Sequence, residues 1–162
     1  MKPLLLASIV LAASTAHAQL LGAADISSAA ARKLGDAALA ACQAQGRQIV
    51  VTVLDRGGNI VSVQRADSVG PHNTEASRRK AYTALSTKSD TWALANAARN
   101  NPDMQNLASM PELLLLGGGL QLKAHGQVVG AIGVAGGGGA LPDRACAMAA
   151  IAALPDLDTV NP

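Results

Sequence analysis

Apolar residues first recur along the chain with helical spacing. In "DISSAAARKLGDAALAACQAQG" (residues 25–46), Ile26, Ala30, Leu34, Ala38, Ala41 and Cys42 share one face. That spacing predicts a helix capped by Asp25 and ended at Gly46. The period then drops to two. Across "QIVVTVLDRGGNIVSVQR" (residues 48–65), Ile49, Val51 and Val53 alternate with Val50, Thr52 and Leu54 before a turn at Asp55–Asn59 and a return from Ile60 to Gln64. This is a β-hairpin, with turn chemistry concentrated in Gly57, Gly58 and Asn59. A second helix is predicted from Thr74 through "EASRRKAYTALS", and a shorter one from Ser89 in "SDTWALANAAR". The next stretch, "NNPDMQNLASMPE", reads as irregular, broken by Pro102 and Pro111. A second hairpin follows: Leu120, Leu122 and Ala124 alternate with Gln121 and Lys123, the turn falls at His125 and Gly126, and Val128 to Val134 returns. Pro142 or Asp143 opens the last helix.

This order of elements places the chain in the mixed α/β (α+β) class, with an antiparallel sheet of two hairpins covered by helices. Glycines inside the last strand, Gly130 and Gly133, predict a close backbone approach. Gly136 to Gly139 are a connector into a helix N-terminus. They serve either as a hinge alone or as a cradle whose N–H groups receive an anion such as a carboxylate. Neither nucleotide-loop template, G-x-G-x-x-G or G-x-x-x-x-G-K-[ST], fits this stretch.

Four further features bound the function. Residues 1–18, "MKPLLLASIVLAASTAHA", carry a lysine, a short apolar run and a small-x-small end. They read as a signal peptide, which leaves residues 19–162 as one domain bound for the periplasm or the exterior; the apolar run is too short for a membrane span. In such a compartment Cys42 and Cys146 are either a disulfide or two buried thiols, and spacing does not choose between them. The net charge of +2, with one Trp, one Tyr and no Phe, offers neither a basic face nor stacking platforms for nucleic acid. The absence of G-x-S-x-G and C-x-x-C-H removes an esterase elbow and covalent haem attachment.

Four segments carry a family resemblance. "VVTVLDRGGNIVSVQRAD" (residues 50–67), "EASRRKAYTA" (residues 75–84), "GGGLQLKAHGQVVGAIGVAGG" (residues 117–137) and the following "DRACAMAA" resemble the GlcG/HbpS-like family of haem-binding proteins. That family also covers the C-terminal domain of PduO-type corrinoid adenosyltransferases. The resemblance implies a profilin-like fold, assembly into a homo-oligomer and haem binding, sometimes coupled to haem breakdown or redox sensing.

Haem iron takes an axial His, Met, Cys or Tyr, and its propionates take basic or N–H partners. On that chemistry the candidate cofactor residues are His72, as the iron ligand, with Arg78, Arg79, Lys80, Tyr82, Met104, Gly136 and Gly137. Each has a plainer alternative: an exposed loop imidazole for His72, a solvated helix face for the basic trio, packing for Tyr82 and Met104, and a connector for the glycines. His125 reads as a turn residue, and Asp55 as a carboxylate bonding turn amides. Arg65 is expected to pair with Asp67 or a neighbouring subunit. The pocket is expected between the second helix and the loops around Met104 and Gly117 to Gly119, or across subunits. Three functions compete: a non-covalent exported haem- or tetrapyrrole-binding protein, a binding or scaffold module for a small metabolite, and a haem-degrading enzyme.

Overall fold

A computed structural model describes residues 22–160; the signal peptide expected at residues 1–18 lies outside the described residues. The elements are α1 (Ser28–Gln43), β1 (Val50–Leu54), β2 (Ile60–Arg65), α2 (His72–Thr87), α3 (Thr91–Asn100), α4 (Pro102–Gln105), a 3-10 turn (Asn106–Ser109), β3 (Gly119–Ala124), β4 (Gln127–Ala135) and α5 (Ala140–Ala152). The two hairpins join through their inner strands, giving the order β2-β1-β4-β3 with every pair antiparallel.

Alternation along the strands assigns the two faces. Val51, Val53, Leu120, Leu122, Ile132 and Val134 point to one side, where Leu34 and Ala38 of α1 and Ala147 and Ile151 of α5 complete the main core. Aliphatic burial of this kind is worth about 1.5–3 kcal/mol per large side chain. Cys42 and Cys146 are bridged within this layer, with Cα atoms 5.6 Å apart, and so join the end of α1 to α5.

The opposite side carries α2. Leu54, Ala81 and Ala131 form a small second cluster there, with Tyr82 and Leu85 against it. Between them the helix lies directly on backbone. Gly119 and Gly133 are cross-strand partners, and a Cβ on Gly133 would overlap the Ser77 carbonyl oxygen and sit 2.6 Å from the Ala81 nitrogen. Beside them Thr52 Oγ1 and Ser77 Oγ share a buried 2.7 Å hydrogen bond. The close approach predicted for Gly133 is therefore an α2–sheet contact that admits no side chain. Gly133→Ala is expected to cost about 1–3 kcal/mol through overpacking, read as a lower urea midpoint with unchanged far-UV dichroism.

Local chemistry moves several boundaries. Ser27, not Asp25, caps α1, accepting from Ala30 N at 3.1 Å. Asp25 instead accepts from Ile26 N and Arg56 N, tying the chain entry to the first hairpin turn. The second helix begins at His72, earlier than Thr74, and α3 is capped by the Asp90 carboxylate on Trp92 N. The stretch after Arg99 holds two short helical turns, α4 and the 3-10 turn, with Asn101 capping the first. α5 starts at Ala140, so Pro142 and Asp143 lie in its first turn. The second hairpin turn is placed as expected, with His125 and Gly126 both at positive φ, the type I′ geometry that matches strand twist.

Candidate functional site

α2 distributes the predicted residues because consecutive helical positions point about 100° apart. The basic trio therefore splits three ways. Arg78 is bound to Glu75 and Glu112 at 2.6 and 2.7 Å. Arg79 donates to the Leu113 carbonyl at 2.5 Å. Lys80 turns inward and is 1% exposed. Its ammonium donates to Asp143 Oδ2 at 2.7 Å and to the Val134 carbonyl at 2.9 Å. Burial pushes the Lys80 ammonium below the ordinary lysine value, and the Asp143 charge and hydrogen bond pull it back up. Lys80 is thus neither a solvated helix-face residue nor a cation that a surface ligand can reach.

The second Asp143 oxygen reaches the glycine connector, accepting from Gly137 N at 2.7 Å. One buried carboxylate therefore holds α2, α5 and the connector together. Above this pair lies a cleft of about 340 Å³, lined by Arg47, Gln48, Val69, Gly70, Asn73 and Gly136 to Gly138. Arg47 follows the turn that ends α1 and lays its guanidinium on the Gly137 carbonyl, while its Nε is buried without a partner. The backbone at Gly136 and Gly138 has φ of 107° and 93°, which lets the connector fold over Arg47 without side-chain clash.

His72 stands beside this cleft at the first position of α2. Its ring atoms would lie 3.1–3.3 Å from a Cβ on Gly70. It is exposed, and among the described residues its imidazole makes no hydrogen bond. His72, Gly136 and Gly137 are therefore brought together at one end of the sheet.

Other candidates lie elsewhere. Tyr82 is ten residues further along α2, about 15 Å by helical rise, against Gly58 of the first hairpin turn. Met104 is half-buried in α4. The expected pocket at Gly117 to Gly119 is filled. A Cβ on Gly117 would meet Ala140 and Trp92 at 2.9 and 3.0 Å, and one on Gly119 would overlap the Lys80 carbonyl. Arg65 donates to the Val69 carbonyl and not to Asp67. Asp55 bonds its own turn as expected, accepting from Asn59 N at 2.8 Å. Sequence reading missed Arg47 and Asp143 as site residues; Arg47 belongs to no quoted motif, Asp143 opens the DRACAMAA segment but reads there as a helix start, and only the fold brings them to the connector.

Among the described residues no three His, Cys, Asp or Glu side chains gather as a metal cluster, and no helix is long and apolar enough to cross a membrane. The architecture defines a class: a four-stranded antiparallel sheet between helical layers, with a glycine connector braced by a buried ion pair. The chain belongs to the HbpS-like family, whose model, described as haem degrading protein HbpS-like, matches residues 26–152. It is 33% identical over 116 residues to an uncharacterized 15.0 kDa protein from the dhaT-dhaS intergenic region of Citrobacter freundii, spanning 70% of this chain and 82% of that one. The crystal structure of HbpS matches with a TM-score of 0.78 and 35% identity, covering 87% of this chain and 99% of that chain. The PduOC:heme complex matches with a TM-score of 0.76 and 26% identity, covering 85% and 99%.

Proposed function

We propose that this chain is an exported protein that binds haem or a related tetrapyrrole non-covalently and works as a homo-oligomer. The observation that carries the reading is the similarity to the PduOC:heme complex, along 99% of a chain solved with haem.

The chain's own residues fit the iron and the propionates. His72, against Gly70 of the cleft lining, offers an exposed imidazole with no internal partner. Arg47 offers a guanidinium and the exposed Gly136 a main-chain N–H for a carboxylate, while the Gly137 N–H is already held by Asp143. Both cysteines are held in the disulfide, so thiolate ligation is excluded. No aromatic side chain lines the cleft, so cover for the ring's apolar faces falls to a second protein surface, and this supports assembly. When bound, haem would supply a redox-active iron. The bridge between Cys42 and Cys146 supports export, since such bonds persist in oxidising compartments.

Hemin titration of residues 19–162 tests the reading. A saturable Soret shift is expected at micromolar hemin, and its absence would end the proposal. His72→Ala is expected to weaken binding by about tenfold or more, about 1.4 kcal/mol or above. An unchanged spectrum and affinity would remove His72 as the ligand. The family description favours a second reading, haem breakdown. It predicts reductant-driven loss of the Soret band with tetrapyrrole products in catalase-containing buffer.

A further inference from the structure

The far end of α2 carries a different arrangement of polar groups. A groove of about 320 Å³ opens between the first hairpin turn, the last turns of α2 and the second hairpin. Its polar lining includes Arg56, Tyr82, Lys88 and Gln121, and its apolar walls include Leu85 and Val128. Gly58, at φ 83°, lets the turn approach the Tyr82 ring, which would lie 3.4 Å from a Cβ there.

The lining is rich in donors that have no acceptor. Gln121 Nε2 is buried and unpartnered, although a buried amide left unsatisfied costs about 1–3 kcal/mol. Among the described residues the Arg56 and Lys88 side chains make no ion pair or hydrogen bond, and neither does the Tyr82 hydroxyl. The carboxylates on neighbouring segments are already committed. Asp55 is bound to Asn59, and Asp25 to the Ile26 and Arg56 amides. Asp90 is bound to Arg144 and Trp92 N, and Asp158 to the His125 and Gly126 amides.

We propose that the groove bounded by Arg56, Tyr82, Lys88 and Gln121 is a binding site for a small organic carboxylate. Two cations, a phenol and an amide N–H converge on a space that needs an acceptor, and charge-assisted bonds to a carboxylate are the strong ones. The apolar walls select an organic anion over an inorganic one. The kind of donor decides between carboxylate and phosphate. Lys88 is the C-cap of α2, so the groove also faces the partially negative end of that helix. That end presents no free N–H groups, on which phosphate sites are typically built, whereas the side-chain donors here suit a planar carboxylate carried on an apolar body. The groove stands apart from the His72 cleft, because its nearest residue on α2, Tyr82, is ten residues beyond His72, about 15 Å of helical rise.

The test is a titration of the ¹⁵N-labelled protein at constant ionic strength with succinate, its neutral diamide succinamide, and inorganic phosphate. Succinate is expected to move the Gln121 side-chain amide resonances saturably, with succinamide inert and phosphate weaker. Lys88→Gln and Arg56→Gln, both on the exposed surface, are each expected to weaken succinate binding about tenfold. His72→Ala is expected to leave it unchanged. The proposal is overturned by the absence of a saturable shift, by phosphate binding as tightly as succinate, or by wild-type affinity in the Lys88→Gln, Arg56→Gln double variant. Hemin affinity is expected to be unaltered in Lys88→Gln; a loss there would merge the two sites and overturn this one as separate. Hemin binding is read from the Soret band, so either proposal can fail without the other.

Discussion

Asp143→Ala is expected to be among the most damaging single substitutions, costing about 3–5 kcal/mol. It would strand the Lys80 ammonium, 1% exposed, with the Val134 carbonyl as its remaining partner. It would also release Gly137 N, which the same carboxylate now holds. The pH dependence gives this loss a signature. Burial depresses the Lys80 value and Asp143 opposes that effect, so removing the carboxylate lets the folded-state value fall further. The unfolded lysine, at 10.5, then binds more protons than the folded one across a wider range. Stability rises with pH wherever that holds, so the variant's deficit should shrink as pH climbs from neutral toward 10.5. Urea denaturation across that range checks it. The double variant Lys80→Met, Asp143→Leu should recover most of the loss, because an apolar pair leaves no charge buried.

Reduction of the bridge, or Cys42→Ala with Cys146→Ala, is the second large effect. The cysteines are 104 residues apart in sequence, and closing a loop of that size restricts the unfolded chain by about 4–5 kcal/mol. Native packing at both positions is already tight, since each is fully buried. The expected loss is therefore about 3–5 kcal/mol, seen as a lower denaturation midpoint in reductant. The damage should reach the cleft as well: the Cys42 sulfur would lie 3.5 Å from a Cβ on Gly137, and the chain turns from Cys42 into Arg47.

Residue pattern carried most of the architecture. The alternation at Val51 and Val53 and at Leu120 and Leu122 identified the strands, and the fold turns both sets into the main core. Gly133 was legible too, because an unbranched position in an apolar strand has few other uses. Lys80 was not. In sequence it is the third member of a basic run, and only the angular step of a helix separates it from Arg78 and Arg79. Its partner Asp143 is 63 residues away, and no local rule links them. Asp25 misled for a related reason, since a carboxylate two residues before the true cap can serve another loop, as it does at Arg56. Residue type alone singled out His72 and the glycine connector, and the fold places both at one end of the sheet. Arg47 and Gln121 were not legible, because their meaning lies in which of their atoms the fold leaves without partners.

The strand order has a consequence for how the molecule comes into being. Val50 pairs with Ala135 at the centre of the sheet, so the middle two strands are supplied by distant parts of the chain. Assembly must close that long excursion before the central pairing rewards it, which is the topology of a slow folder. Until the second hairpin has been synthesised, one flank of β1 stands open to adventitious strand addition. A chain with such a centre gains from any factor that shields its first half during biogenesis.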